Sequence, residues 1–228
     1  MTRIRAAALG AASIGLVVSA ADVARAGEAI DVDVAIVFAA DVSLSMDARE
    51  RAFVRESHAA AIASPAVLRA IERGAIGRIA ATYVEFAWEA RQKVGWTVID
   101  GRATAADFAA AIRAIDGGAE SYTEISAALM LAIDLYATMP FRATSKVVDV
   151  VGDGADSALA WLRGAREVLI SRGVVINGMP LVIDPSQPTV AVFYANEVAG
   201  GPGHFSLPVT DIDQMPEALR RKIVRELY

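Results

Sequence analysis

The chain has 228 residues, carries a formal net charge of −5 and contains no cysteine. This length is enough for one domain with a full hydrophobic core. The acidic balance argues against nucleic-acid binding, because no basic stripe is present to neutralise phosphates. The absence of cysteine excludes disulfides, thiolate metal sites and a cysteine nucleophile.

The first 26 residues have the pattern of an export signal. Basic residues precede an apolar stretch over 6–21, and the small residues Ala24 and Ala26 stand where a signal peptidase reads the chain. A membrane anchor is the alternative, but the apolar stretch is short for a stable span and an aspartate closes it. The pattern therefore predicts a signal peptide cleaved between Ala26 and Gly27.

Cleavage would leave one domain over residues 27–228, located in the periplasm or secreted. No other segment is long and apolar enough to span a bilayer, so we expect no membrane span after cleavage. The sequence contains no internal repeat, low-complexity stretch or sign of a second domain.

Strand and helix patterns alternate along this domain. The predicted strands are 32–38, 78–88, 92–99, 146–151, 174–182 and 204–209. The predicted helices are 47–62, 66–73, 105–115, 124–138, 158–171 and a last one from 213, whereas 188–198 is ambiguous. A short link between the second and third strands indicates a hairpin with an antiparallel edge strand. The alternation predicts an α/β fold with a doubly wound, mostly parallel sheet and helices on both faces.

Oxygen-bearing side chains stand in three predicted loops. Asp41, Ser43 and Ser45 alternate in the turn after the first strand, Thr123 opens a middle helix, and Asp153 follows the fourth strand. In open α/β sheets such loops meet at the carboxyl edge of the strands. Oxygen ligands suit a hard cation such as Mg²⁺ or Mn²⁺. A competing interpretation is that the first loop only caps the next helix, since Asp and Ser are common N-cap residues.

The three motifs, in this order, resemble the metal-ion-dependent adhesion site of von Willebrand factor A domains. More narrowly, the chain is similar to a bacterial family of exported A-like proteins, a domain of unknown function. The similar stretches are 33–37, 77–87, 150–156, 176–180 and 200–205. The resemblance covers essentially all of the predicted mature chain.

The resemblance implies a role for each residue of the candidate site. Ser43 and Ser45 would bind the cation through their hydroxyls, Thr123 directly or through water, and Asp41 and Asp153 would hold coordinated waters. It also implies a protein or peptide partner whose exposed Asp or Glu completes the coordination, which is binding chemistry without catalysis. No nucleic acid is expected as a partner.

The chain departs from the family pattern near the site. Leu44 stands where A domains commonly have glycine, and four residues separate Gly118 from Thr123. Glu120 and Glu124 add negative charge, which would either strengthen cation binding or repel an acidic partner.

Two other functions stay open at this point. Asp41 and the stretch 152–156 resemble the nucleophile and metal motif of haloacid-dehalogenase-type phosphatases, which depend on magnesium, but the position of their general acid is occupied by Ser43. The second alternative is an A-like structural or interaction domain without a functional metal.

The remaining conspicuous residues have ordinary structural interpretations. Asp156 is expected to cap the following helix, and His58 to lie at the surface or its boundary. Packing roles are expected for Trp88, Trp96 and Trp161, and a solvated helix face for Arg220, Arg221 and Lys222.

Overall fold

The computed structural model describes residues 29–118, 121–183 and 189–228. The strands in these ranges are β1 (Ile30–Asp41), β2 (Ile79–Phe86), β3 (Ala90–Ile99), β4 (Phe141–Gly152) and β5 (Val174–Pro180). The helices are α1 (Ala48–Ile62), α2 (Pro65–Glu72), α3 (Arg102–Arg113), α4 (Ile125–Thr138), α5 (Leu159–Ser171), α6 (Val190–Phe193) and α7 (Met215–Glu226). A π-helical turn, Tyr194–Val198, continues α6, and a 3-10 turn, Ile212–Gln214, precedes α7. The predicted signal peptide and Glu120 lie outside the described residues.

One sheet organises these elements, with strand order β3-β2-β1-β4-β5. β1 is parallel to both β2 and β4, and β4 is parallel to β5; among the strand pairs of the described residues, only β2–β3 is antiparallel. The predicted fold class is therefore confirmed, including the antiparallel edge strand. No helix among the described residues has the length and hydropathy needed to cross a membrane.

Helices cover both faces of the sheet because β1 is apolar on both sides. Its residues alternate between two cores: Ile36 and Phe38 contact the core under α1, α2, α3 and α7, whereas Val37 and Ala39 contact the core under α4, α5 and α6. A strand that is buried on both faces has a continuous run of apolar residues in its sequence, and β1 has this pattern.

The last predicted strand, 204–209, is not a regular strand. It runs beside β5 through isolated parallel bridges, Gly178 with Ser206 and Leu181 with Val209. The backbone N–H of Val209 donates to the carbonyl of Pro180 at 2.9 Å. The parallel ladder is interrupted at Pro180, which has no N–H to donate between the bonds made by the N–H groups of Gly178 and Val182. The ambiguous stretch forms α6 and the π-helical turn over its described part.

A buried ionic cluster joins α7 to β4, three residues before that strand ends. The Lys222 ammonium donates to the carboxylate of Glu226 and lies 2.5 Å from an oxygen of Asp149, and all three side chains are buried. Burial and the nearby charge of Asp149 raise the pKa of Glu226 to about 8. The expected solvated face is therefore wrong for Lys222, which follows the buried Leu219 by three positions on the helix.

His58 is also buried, not at the surface. Its ring contacts Phe38 and Tyr83 at edge-to-face centroid distances of 5.8 and 5.3 Å. Burial lowers its pKa, because the charged imidazolium would lose its hydration. The histidine therefore serves the core beneath α1 as a neutral, aromatic side chain.

The cluster predicts a large stability cost for Lys222→Ala. Removing the cation leaves Asp149 buried without its counter-charge, so we expect the free energy of unfolding to fall by about 3 to 5 kcal/mol. Urea unfolding followed by circular dichroism measures this change. Arg221→Ala is the matched control, because Arg221 is mostly exposed and should lose less than about 1 kcal/mol. Equal losses in the two variants would contradict the prediction.

Candidate metal centre

Two adjacent parallel strands deliver the main parts of the candidate site. β1 and β4 pair in register, with Ala40 opposite Val151, so that both strands end at the same edge of the sheet. Asp41 is the last residue of β1, and Asp153 directly follows the last residue of β4. The two carboxylates are therefore neighbours because of strand order, although 112 positions separate them in the chain.

The loop after β1 is shaped by its own aspartate. The Asp41 Oδ1 atom accepts a hydrogen bond from the backbone N–H of Ser43 at 2.7 Å, which is the turn that Asp favours in loops. This turn places the Ser43 and Ser45 hydroxyl oxygens 2.9 Å apart. The two serines thus present their oxygens side by side at the sheet edge.

Helix α1 does not need these residues as a cap. Asp47 is its N-cap residue and accepts from the N–H groups of Arg49 and Glu50, while Glu50 accepts in return from the N–H of Asp47. This reciprocal pair is a complete capping box. The interpretation of Asp41 to Ser45 as mere helix caps is therefore wrong, and their oxygens are available for another purpose.

Hydrogen bonds connect all five predicted site residues. The Ser45 hydroxyl donates to Asp153 Oδ1 at 2.7 Å, and the Thr123 hydroxyl donates to Ser43 Oγ at 3.2 Å. With the Asp41 to Ser43 bond, this gives an unbroken set of oxygen atoms from three loops. The structure therefore brings together every residue that the sequence proposed for the site.

Two backbone hydrogen bonds hold Thr123 in place just before α4. The N–H of Glu124 donates to the carbonyl of Ala87 at 2.9 Å, and the N–H of Ser157 donates to the carbonyl of Thr123 at 3.2 Å. Tyr122, the preceding residue, has a φ of 68°, an uncommon conformation for a residue with a side chain. The loop is therefore held in a strained backbone shape where it enters the site.

The glycines on either side of Asp153 are required by close approach. A Cβ atom at Gly152 would lie 2.8 Å from Asp41 Oδ2 and 2.7 Å from the Tyr194 hydroxyl oxygen. A Cβ atom at Gly154 would lie 2.8 Å from Thr123 Oγ1. Any larger residue would push the oxygen-bearing side chains apart, so the Gly-Asp-Gly sequence serves the site itself.

Asp41 is the electrostatically strained member of the group. Its side chain is 1% exposed, and its Oδ2 atom has no hydrogen-bond partner among the described residues. Burial raises the pKa of Asp41 to about 7; hydrogen bonds from Ser43 oppose the rise and the charge of Asp153 adds to it. A nearby positive charge would stabilise the ionised form of this carboxylate.

Tyr194 lies against this carboxylate and was not anticipated from the sequence. Its side chain is fully buried, its hydroxyl has no hydrogen-bond partner among the described residues, and it faces the same point beside Gly152 as Asp41 Oδ2. Burial, and then the charges of Asp41 and Asp153, raise the pKa of its phenol. The residue belongs to the π-helical turn, which has no clear periodicity in the sequence, so no pattern pointed to it.

The other carboxylates near the site have structural roles. Asp156 accepts from the N–H of Ser126 at 2.6 Å and from the N–H of Ala158 at 2.7 Å, so it ties the start of α4 to the turn before α5. Glu124 accepts from the hydroxyls of Ser126 and Ser157. Asp156 was expected to cap the following helix, α5, but α5 has no side-chain cap; Asp156 instead accepts from Ser126 in the first turn of α4 and from Ala158, which precedes α5.

The position that a haloacid-dehalogenase-type phosphatase needs for its general acid, two residues after Asp41, has no carboxylate. Ser43 stands there, bonded to Ser45 and Thr123. The other aspartates of β1 lie at the opposite edge of the sheet, where Asp33 accepts from the N–H groups of Ile76 and Gly77. Their carboxylates cannot serve a reaction at Asp41.

The oxygen spacing fits a small, six-coordinate cation. Adjacent ligands of Mg²⁺, each about 2.0 to 2.1 Å from the ion, lie about 2.9 Å apart in an octahedron. The hydroxyl oxygens that could contact the ion are separated by 2.9 Å between Ser43 and Ser45 and by 3.2 Å between Ser43 and Thr123. The described residues contain no group of three or more His, Asp or Glu side chains that could hold a metal, so a site here depends on hydroxyl oxygens.

Comparison with solved structures identifies the fold. A von Willebrand factor type A protein from Catenulispora acidiphila is 17% identical with a TM-score of 0.59, and the match covers 86% of this chain and 43% of that one. The proximal thread matrix protein 1 of the mussel byssus, with a zinc-occupied MIDAS motif, is 17% identical with a TM-score of 0.56, covering 86% and 46%. The von Willebrand domain of the type V pili tip protein Mfa5 from Porphyromonas gingivalis is 12% identical with a TM-score of 0.59, covering 87% and 96%.

These matches share the fold with the chain at low sequence identity. The chain spans less than half of the Catenulispora and mussel proteins but corresponds to nearly all of the Mfa5 domain. A comparison with curated protein sequences finds no match. The family model described as "Protein of unknown function (DUF1194)" matches residues 31–228. The chain therefore belongs to this family, and its domain has a von Willebrand factor A-like fold.

Proposed function

We propose that the protein is an exported binding domain that holds Mg²⁺ or Mn²⁺ and uses it to bind an exposed Asp or Glu of a protein or peptide partner. The proposed cation site consists of Asp41, Ser43, Ser45, Thr123 and Asp153. The observation that carries the proposal is the hydrogen-bonded set of oxygens from three loops, in which the Ser43, Ser45 and Thr123 hydroxyls have the spacing of adjacent ligands. This set lies beside a buried carboxylate, one atom of which has no partner among the described residues. A helix cap does not account for this set, since Asp47 fulfils that role.

The residue types fit the proposed division of labour. The hydroxyls of Ser43 and Ser45 would contact the cation directly, Thr123 directly or through water, and Asp41 and Asp153 through coordinated waters. Since hydroxyls are neutral, a bound cation would keep much of its positive charge and attract an outside carboxylate. This is a binding function, and we propose no catalytic step.

The relatives of similar fold support a protein partner and a divalent metal. One is a tip protein of type V pili, and the mussel protein carries zinc at its own MIDAS motif. We take from them the kind of partner and the class of ion, and choose Mg²⁺ or Mn²⁺ from the oxygen-only ligand set.

We further propose that residues 1–26 are a signal peptide and that the mature protein is periplasmic or secreted. The basic start, the apolar stretch and the small residues before Gly27 support this. Intact-mass and N-terminal sequence analysis of the protein recovered from the cell envelope or medium should give Gly27 as the first residue. A cytoplasmic protein that begins at Met1 would contradict the proposal.

Cation binding should stabilise the fold. A cation at about ten times its dissociation constant adds roughly 1.4 kcal/mol to the native state, which corresponds to about 3 to 6 °C in the unfolding midpoint. Thermal unfolding in chelator and then in millimolar Mg²⁺ or Mn²⁺ measures the shift, and Mn²⁺ titration by calorimetry measures the affinity directly.

Asp153→Ala and Ser45→Ala should abolish this shift. Ser171→Ala is the matched control, since its hydroxyl bonds only to the Val168 carbonyl on the surface of α5. If the parent shows no response to either ion, the domain is an A-like structural or interaction domain without a functional metal. An equal response in parent and Asp153→Ala would place the ion elsewhere.

Asp41→Asn should stabilise the cation-free protein while it removes the cation response. The folded state raises the pKa of Asp41 to about 7, so it binds a proton more tightly than the unfolded chain does. The contribution of Asp41 to the free energy of unfolding is therefore most favourable below about pH 4. It decreases by about 2 to 4 kcal/mol in total as the pH rises from about 4 to 7. The amide carries no charge and avoids this cost.

Unfolding midpoints in chelator at pH 5 and pH 8 test this prediction. The parent should lose more stability than Asp41→Asn between the two values, and the variant should be the more stable at pH 8. Asp107→Asn, at an exposed carboxylate of α3, controls for the general loss of one negative charge. A variant less stable than the parent at pH 8 would show that Asp41 is not strained.

A further inference from the structure

A cluster of exposed aromatic side chains lies beside the candidate metal centre. Trp88 and Trp161 are 59% and 68% exposed, contrary to the packing roles expected from sequence, whereas Trp96 packs against Tyr136 and Phe141 as expected. The ring of Tyr122, also exposed, lies 5.4 Å from that of Trp88. Such exposed side chains do not contribute to the hydrophobic core. Where several of them are grouped together, they mark interaction sites.

The two tryptophans and Met130 line an open groove, which we call the aromatic groove. Its remaining walls are Glu124, Ser126, Ala127 and Ala158, and its volume is about 480 Å³. This volume lies within the range of about 300 to 1,000 Å³ that is typical of ligand pockets. The groove is therefore large enough to hold a bulky side chain of a partner.

The aromatic groove and the metal centre share the segments that hold Thr123. Glu124 follows Thr123 in the chain and lines the groove. The carbonyl that accepts from Glu124 belongs to Ala87, which directly precedes Trp88, and the N–H that donates to Thr123 belongs to Ser157, which precedes Ala158. A partner bound at the cation would therefore reach the groove within a few residues.

The charges of the two sites are complementary to different parts of one partner. Among the described residues, no Lys or Arg lines the groove, and the one lining carboxylate, Glu124, is buried and bonded to Ser126 and Ser157. The groove therefore offers an apolar, aromatic surface without a free cation. An anionic lipid headgroup would find no basic residue there, whereas a neutral, bulky side chain would be well accommodated.

We propose that the aromatic groove binds an aromatic or large aliphatic side chain located within a few residues of the acidic residue that the cation binds. The inference rests on the proposed function, which it deepens by defining the partner as an acidic–apolar peptide segment. Tryptophan is among the residue types that dominate binding energy at interfaces, so Trp88 and Trp161 supply the affinity while the cation supplies the anchor.

A selection of short random peptides displayed on phage tests the proposal, with the protein expressed from its full sequence as the target. Selections in millimolar Mn²⁺ and in chelator are compared. We expect the Mn²⁺-dependent sequences to carry Asp or Glu within about four positions of Trp, Phe, Tyr, Leu, Ile or Met. A synthetic peptide with the consensus sequence should bind the protein in Mn²⁺ and not in chelator.

Variants of the groove separate this inference from the proposed function. Trp161→Ala and Trp88→Ala should weaken binding of that peptide by about tenfold or more, as expected for hot-spot residues. Their Mn²⁺ affinity and unfolding midpoints should stay at the parent values. Val192→Ala is the control, because Val192 is exposed to the same extent as Trp88 and lies outside the groove.

Several outcomes would overturn the inference. Three results would contradict the proposed role of the groove but not the metal site. The Mn²⁺-dependent peptides could lack the apolar residue, the tryptophan variants could bind the peptide as well as the parent does, or a protein that binds Mn²⁺ could enrich no peptide. A parent that binds no Mn²⁺ would remove the proposed function as well. Concentration-dependent dimers lost in Trp161→Ala would assign the groove to a second copy, and flotation with phosphatidylcholine–phosphatidylglycerol vesicles lost in the same variant would assign it to a membrane.

Discussion

The buried carboxylate of Asp41 is the constraint around which the candidate site is built. It ends a strand that is apolar on both faces, so one of its oxygens is removed from water without a partner among the described residues. The glycine at 152 leaves just enough space for it, and the serine turn starts from its other oxygen. An unpaired buried oxygen at this point lowers the stability of the fold. A bound cation would compensate for this loss.

Strand order determines which residues can share this charge. Because β1 is central and β4 pairs with it in parallel, Asp153 is delivered to the same edge without any long-range feature in the local sequence. Thr123 lies in the loop just before α4 and depends on backbone contacts with two other loops. The site is therefore a property of the topology, and disturbing any of the three loops changes the oxygen spacing.

The sequence predicted the features that local patterns encode and missed those that depend on tertiary neighbours. The apolar run of β1 and the hairpin to β3 could be found because periodicity and turn chemistry are local signals. The five oxygen-bearing residues were selected by their place at the ends of predicted strands and helices and by the resemblance to a known motif. Lys222 could not be placed, since a charged residue is buried only when Asp149 and Glu226 surround it. Tyr194 had no recognisable pattern, and the exposure of Trp88 and Trp161 depends on the open groove that they form with residues of α4.

Two unfavourable features of the free protein lie on the same face. One is a pair of acidic residues, Asp41 and Asp153, close enough that the charge of Asp153 raises the pKa of Asp41. The other is the exposed aromatic surface around Trp88 and Trp161. Each costs free energy in isolation, the first by charge repulsion and burial, the second by contact of apolar area with water. A cation relieves the first and a bulky side chain relieves the second, so a single acidic–apolar segment, bound with its ion, would satisfy both at once.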